Sequence, residues 1–471
     1  MTSKIRALVA ALVVVIVAFA GALYLGYRSG LSVAELSAMR KTDVASISDL
    51  RSLFTGNGEQ QALDFAFRSV VEKFYKPVDA QRLLDGERSG LLSTLKHDKH
   101  IANAALPAAK ASGDFGQDRA LADRQLAYAE SHYSNSASES ELTQAAISGM
   151  TNALRDPYTV YLTPREMQGL NESLDGGNFG GIGVYIVQDP RNSNILVDPI
   201  ENLPAARAGM KPGDAVLAVD GHVTRGVKLD NVERMIRGDA GTTVTIEVHP
   251  YKKTSTRVYR IVREIIHVPT VKSKQEDGYD YVRLLDFGQT SADEMRRALA
   301  DGRAHHSRGY ILDLRDNGGG LLEAAVKISS YFVPSGTIVS TINRQGRRDD
   351  QPALGTSMPG LSPLVILVNK YTASASEITA GALQDYGLAK LIGTKTFGKG
   401  VVQSIYPLPD NGALKITTAR YITPLGRDIQ HKGINPDIVV TQNPDPSLID
   451  TKNDRQLAAA KAFLNKQTTT R

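Results

Sequence analysis

The segment Gly309-Tyr310-Ile311-Leu312-Asp313-Leu314-Arg315-Asp316-Asn317-Gly318-Gly319-Gly320-Leu321 joins an apolar run to three consecutive glycines, and a helix-like stretch follows to about Tyr331. It reads as strand, loop and helix. Three glycines allow the backbone to approach a ligand and donate N–H groups to it, whereas the plainer reading is a flexible turn. The same texture continues on both sides. Tyr281–Leu285 reads as a strand, Ala292–Ala300 as a helix, Leu364–Val368 as a buried strand, Ser376–Gln384 as a helix and Lys390–Ile392 as a strand. The expected fold is therefore an α/β (α+β) core over 256–445, with chemistry on the loops that follow strands, and a tail over 446–471.

Upstream, Gly176-Gly177-Asn178-Phe179-Gly180-Gly181-Ile182-Gly183-Val184 opens a β-rich region over 176–251. It has short apolar runs at Val184–Val187 and Ile195–Val197, then Pro204-Ala205-Ala206-Arg207-Ala208-Gly209-Met210-Lys211-Pro212-Gly213-Asp214 as a short helix and turn. Ala215 to Val219 feeds the tight turn Asp220-Gly221. Asp230-Asn231-Val232-Glu233 has the spacing of a capping box, and Val244, Ile246 and Val248 alternate as a strand.

Residues 31–168 read mainly as helix. Tyr75 and Tyr133 are followed by Gly90-Leu91-Leu92 and Gly149-Met150-Thr151 at spacings of 15 and 16, a degenerate duplicated unit. The Ala-, Gly- and Asp-rich stretch Lys96 to Asp123 is expected to be a loop, and Pro157 and Pro164 are expected to stop the second unit.

At the N-terminus, Lys4 and Arg6 precede 21 residues, Ala7 to Tyr27, without a charged side chain. That length spans about 31 Å as a helix, enough to cross a bilayer. Residues 1–30 thus read as an uncleaved signal anchor or as a signal peptide cut after Ala18-Phe19-Ala20, the anchor being favoured because apolarity continues through Leu25. Either reading places the chain outside the cytoplasm, on the periplasmic side of an inner membrane.

Composition narrows the chemistry. The 471 residues include no Cys and no Trp, so disulfides, thiol nucleophiles and Cys-ligated metals are excluded. With 42% hydrophobic and 22% charged residues, the chain is expected to be globular. A net charge of +5, with no basic run interleaved with aromatics, gives nucleic-acid binding no support. The nine histidines, the His305-His306 pair included, lack metal-ligand spacing, so no metal or other cofactor is expected.

Two further segments carry candidate chemistry. Tyr371-Thr372-Ala373-Ser374-Ala375-Ser376-Glu377-Ile378 lies between a strand and a helix. Ser374 with Glu377 reads most simply as a capping box, but a serine at that turn also points into a cleft beside free helix amides. Ser376 is the rival hydroxyl. Gly393-Thr394-Lys395-Thr396-Phe397-Gly398-Lys399-Gly400 comes close to a phosphate loop but lacks its final Ser/Thr. It runs into the strand-like Val401–Tyr406, where a phosphate loop needs a helix. Period-two alternation puts Lys399, Val401 and Gln403 on one face. A buried lysine there is a candidate general base, which the Gln403 oxygen can orient; the plainer reading is a surface lysine on a glycine hinge.

The 176–251 region, through "PAARAGMKPGDAVLAVDG" and its upstream glycine loop, closely resembles a PDZ domain. The three loop segments together resemble the C-terminal processing peptidases, or tail-specific proteases, of the S41 serine-protease family. The resemblance covers roughly Phe65 to Val440 and includes the closing stretch "LKITTARYITPLGRDIQHKGINPD". It implies a serine endopeptidase with an inserted PDZ domain and a helical N-terminal region. Ser374 matches the nucleophile, Lys399 the base and Gln403 the residue that orients it. Gly319 or Gly320, with Ala375, matches the oxyanion hole. Gly181, Ile182 and Gly183 match the carboxylate loop, and Arg237 an arginine that couples docking to activity. The implied partners are protein or peptide substrates with free C-termini, with the membrane reached through the N-terminal apolar helix; a homo-oligomer or an adaptor is compatible with this. The rival from another class is a catalytically silent, membrane-anchored PDZ scaffold, and a nucleotide-binding protein stands third.

Overall fold

The computed structural model describes residues 58–174, 179–189, 192–251, 253, 255–442 and 445–469. The expected anchor or signal peptide at 1–30 and the glycines Gly176 and Gly177 lie outside the described residues.

The α/β core is a six-stranded sheet. Tyr279–Leu284, Tyr310–Asp313, Leu364–Val368, Lys390–Gly393 and Ile438–Val439 run parallel, and Val271–Glu276 adds an antiparallel edge. Successive side chains of a strand point to opposite faces, and here both faces are covered. Leu312, Ile366 and Leu391 join the cluster formed with helices Ser291–Ala304, Leu322–Ser330 and Ala375–Asp385. Ile311, Val365, Leu367 and Ile392 meet Leu457, Ala460 and Leu464 on the other face. Those last three belong to the Arg455–Thr469 helix, so the stretch expected to be a tail closes the core. Its apolar positions recur at helical spacing, and burying each Leu is worth about 1.5–3 kcal/mol.

A second, antiparallel sheet joins Val160–Leu162, Ala413–Ile422, Thr337–Asn343 and Arg348–Pro352, and Val401–Pro407 also pairs with Ala413–Ile422. Through Val160–Leu162 the end of the helical region is hydrogen-bonded into the core.

In the helical region, Ala80–Ser93 crosses Glu139–Ala153 closely. A Cβ on Gly149 would lie 2.2 Å from the Gly86 carbonyl oxygen and 2.9 Å from the Gly90 Cα, so the glycines of the two repeated units meet at the crossing. The expected loop over Lys96–Asp123 is shorter. A π-helical turn covers Thr94–Asp98, and a helix starts at Phe115, where the Asp114 side chain accepts from the Gln117 amide. Ala122, Leu126 and Ala129 are buried along that helix; what composition marked as loop is a cap followed by good helix formers. Pro164 likewise starts a helix, Pro164–Leu174, instead of stopping one. Proline suits the first helical position, and the Thr163 hydroxyl accepts from the Glu166 amide.

The PDZ-like region is a sheet ordered Val184–Gln188, Ile195–Pro199, Asp214–Val219, Thr243–His249 and Arg257–Val262, with helices Pro204–Arg207 and Leu229–Ile236. It extends past Tyr251: Arg257–Val262 pairs with Thr243–His249, and Glu264–Ile266 with Phe179–Gly181. The boundary expected at 256 therefore moves beyond Ile266. The expected capping box at Asp230 is also absent, because Leu229 already begins the helix, with Lys228 before it and no side-chain cap.

Candidate active site

Three loops at the C-terminal ends of neighbouring parallel strands converge, the edge where open α/β sheets place their ligands. They line a cavity of about 510 Å3 that contains Ser374, Lys399, Gln403, Ala375 and all three glycines Gly318, Gly319 and Gly320. The catalytic and oxyanion candidates thus meet in one place. Leu170, Leu285, Leu321 and Ile378 contribute apolar wall.

Ser374 precedes the Ala375–Asp385 helix with φ 58° and ψ −119°, a conformation costly for a residue with a Cβ. The strain is held by packing. The Ala373 amide donates to the Asn317 carbonyl at 3.0 Å, and a Cβ on Gly319 would sit 2.7 Å from the Ser374 Cβ, so only glycine allows this approach. Ser376, the rival, is fully buried and donates its hydroxyl to the Asn317 carbonyl at 3.0 Å.

The glycine loop separates the two oxyanion candidates. The Gly319 amide donates to Asn317 Oδ1 at 2.9 Å, whereas the Gly320 amide has no hydrogen bond among the described residues. Ala375 opens its helix, where amides lack an intrahelical acceptor.

Glu377 is fully buried and does more than cap. Its Oε2 accepts from the Ser374 amide at 3.0 Å and the Lys399 amide at 2.9 Å. Its Oε1 accepts from the Gly398 amide at 2.8 Å and the Thr396 hydroxyl at 2.5 Å. Burial holds this carboxyl above its ordinary range although the four donors pull it down. On the other side, the buried Tyr421 hydroxyl lies 2.6 Å from the Lys399 carbonyl oxygen and 3.1 Å from that of Ser374.

Lys399 is half-buried, its Nζ 4.9 Å from the centre of the Tyr158 ring. Its amine is pulled down to about 8, first by burial and then by Lys415, against the opposing pull of Asp156 and Glu377. Among the described residues no hydrogen bond joins Lys399 Nζ to Ser374 Oγ; catalytic contacts of this kind often tighten only around substrate. Gln403 lies in the cavity with Lys399 and Val401, but a register shift between Val402 and Gln403 interrupts simple alternation. Its Nε2 donates to the Val401 carbonyl at 3.3 Å, and among the described residues no hydrogen bond joins the Gln403 oxygen to the Lys399 amine.

The remaining sequence candidates gather elsewhere. Gly181, Ile182, Gly183 and Arg237 line a separate cavity of about 290 Å3 with Ile186, Leu229 and Ile236. Gly183 has φ 72°, with Leu203 where a Cβ would go. Arg237 pairs with Glu233 at 2.5 Å, and Glu233 also lines the cavity. The cavity lies beside Val184–Gln188, an edge strand whose free backbone groups suit strand addition.

Sequence reasoning missed Asn317, Tyr421 and Tyr158 as parts of the site, and read Glu377 only as a cap. It also missed the buried ion cluster behind the glycine loop. There Arg315 Nη2 lies 2.6 Å from Asp313 and 2.7 Å from Asp454. Arg315 stands before Asp316, Asn317 and the three glycines, and Asp454 precedes the C-terminal helix, a pairing that no local pattern signals.

Comparison with known proteins gives the family of each region. Residues 278–440 match the model of peptidase family S41, and residues 196–249 that of a PDZ domain. A carboxy-terminal-processing protease of Bartonella bacilliformis is 39% identical over 311 residues, which cover 64% of this chain and 70% of that protein. A carboxyl-terminal-processing protease of Picosynechococcus is 38% identical over 321 residues, 67% of this chain and 77% of the relative. Among solved structures, a photosystem II D1 C-terminal processing protease is 26% identical, with 85% of this chain and 100% of that chain covered at a TM-score of 0.46.

Proposed function

This chain belongs to peptidase family S41, with the carboxy-terminal-processing proteases, and is a serine-type peptidase; from that premise we propose that it cleaves protein substrates near their C-termini with a Ser374–Lys399 dyad. The observation that carries the reading is the meeting of Ser374, Lys399, Ala375 and the glycine loop in one cavity. A neutral Lys399 takes the Ser374 proton as Oγ attacks the scissile carbonyl. The Gly320 and Ala375 amides, which have no competing acceptor among the described residues, donate to the oxyanion. The lysine then returns its proton to the leaving amine, and water hydrolyses the acyl-enzyme. Gln403, in the same cavity, would orient the lysine amine through its side-chain oxygen.

The second cavity supports capture of the substrate tail. Amides of the Gly181–Gly183 loop would receive the terminal carboxylate, the apolar wall of Ile186, Leu229 and Ile236 the last side chain, and Val184–Gln188 the preceding residues as an added strand. Arg237, at the end of the Leu229–Ile236 helix and in the lining of the same cavity, would couple docking to the active arrangement. The apolar run Ala7–Tyr27 supports work outside the cytoplasm, attached to the membrane or released from it. Among the described residues no helix is long and apolar enough to cross a membrane.

The test incubates the protein with a peptide that has an apolar, free C-terminus. Wild type should cleave it, while Ser374→Ala and Lys399→Ala should bind without cleaving. Undiminished cleavage by Ser374→Ala would sink the dyad. Unchanged turnover of the C-terminally amidated peptide would sink tail recognition. Binding without turnover by wild type would leave the scaffold reading.

A further inference from the structure

We propose that Lys415 is a charge-positioning residue of the catalytic site: a second ammonium in the cavity that keeps Lys399 in its unprotonated, proton-accepting form. The proposal rests on the reading of Lys399 as the general base. Lys415 lies on Ala413–Ile422, directly opposite Ile405 on Val401–Pro407, and one pleat along the same ladder pairs Gln403 with Thr417. Lys415, Ile405, Gln403 and Lys399 all line the one cavity. The Lys415 side chain is half-buried, and its ammonium has no salt bridge or hydrogen bond among the described residues.

The groups around Lys399 define the balance. From the segment before the Pro164–Leu174 helix come the Tyr158 ring and Asp156, whose Oδ2 is held by the Thr159 and Thr417 hydroxyls at 2.6 Å each. The Ala375–Asp385 helix supplies Glu377, whose four donors already engage its charge. Tyr421 contributes a buried phenol, and Asp286 a carboxyl in the same cavity that burial pushes up. Asp156 and Glu377 both favour the ammonium. Among the described residues, Lys415 is the charged group of this cavity that opposes it, and like charges in a half-dry cavity interact more strongly than in water. A lysine nucleophile or base activated by a neighbouring cation is a known chemical solution to the same problem.

The experiment measures kcat and KM between about pH 6 and pH 10.5 on the free-C-terminus peptide for wild type, Lys415→Met and Lys415→Arg. Removing the charge should move the acidic limb of kcat/KM up by about half to one pH unit, a loss of about 3- to 10-fold at pH 7. The rates should converge on the alkaline plateau, and Lys415→Arg should restore the wild-type limb. An unmoved limb in Lys415→Met overturns the proposal. So does an equal loss at every pH with raised KM, which would assign Lys415 to substrate binding. If Lys415→Met does not fold, Lys415→Gln carries the same test. Failure of the dyad reading is separately visible, because Ser374→Ala and Lys399→Ala would then retain turnover.

Discussion

The backbone amides of Ser374 and Lys399 donate to the same carboxylate oxygen, Glu377 Oε2, at 3.0 and 2.9 Å. The two loops that carry the proposed nucleophile and base are therefore fixed to each other through one buried side chain, independently of any contact between the serine and lysine side chains. The Tyr421 hydroxyl spans the carbonyls of the same two residues, so each loop is held from both polar sides of its backbone.

Glu377→Gln should uncouple the loops. An amide places an NH2 where the carboxylate accepts from backbone N–H groups, leaving at least one buried donor unpaired at about 1–3 kcal/mol. Thermal unfolding should show a loss of about 2–4 kcal/mol, and kcat should fall by at least tenfold with KM little changed. Full activity with lost stability alone would assign Glu377 a purely structural role.

The pH profile follows from Lys399. With the amine held at about 8, kcat/KM should rise about tenfold per unit below that pH and level off above it. Stability runs the same way. The folded protein disfavours the ammonium, which costs stability below about pH 8 and ceases to do so once the unfolded lysine also deprotonates, above its ordinary 10.5. Lys399→Met should therefore gain about 1–2 kcal/mol at pH 7, allowing for solvent screening, and nothing at pH 11. Melting temperatures across that range decide it.

Glu87 predicts the opposite slope in the helical region. It is fully buried, both its carboxylate oxygens lack a hydrogen-bond partner among the described residues, and burial, reinforced by Asp123, holds its carboxyl well above the ordinary range. Asp123 itself is pushed up to about 6 by burial and by Asp64. Acids raised by folding favour the folded state at low pH, so stability should decline as pH rises past 4.5 and through 6. Glu87→Leu should flatten that decline and add about 1–3 kcal/mol at pH 7.5, read from denaturant unfolding followed by helical circular dichroism.

Asp454→Asn should be severe although it lies outside the cavity. It leaves Arg315 buried with one fewer counter-charge, a cost of about 3–5 kcal/mol. Because Arg315 lies in the segment that leads into the glycines, kcat should fall with it at temperatures where the protein is still folded. Unaltered kcat under those conditions would confine the ion cluster to stability.

Local patterns determined much of this protein. The apolar runs and glycine clusters around Gly309–Leu321 and Leu364–Glu377 specify strand, loop and helix, because side-chain periodicity and glycine freedom act within a few residues. The resemblance to the S41 peptidases singled out Ser374, Lys399 and Gln403, where local spacing alone left Ser374 as a helix cap, and the fold brings them into one cavity. Where sequence reading went astray, at the Phe115 and Pro164 helix starts and the supposed tail, a residue's role depended on its neighbours in space. Tertiary structure alone decided which glycine amide is left free, since Asn317 intercepts Gly319, and what Glu377 holds, since its donors come from 19 to 22 residues away as well as from Ser374. It alone brought Asp454 to Arg315 across 139 residues. Hydrogen bonds and charges act over a few ångströms regardless of distance along the chain, so such partners become visible only once the sheets have closed around them.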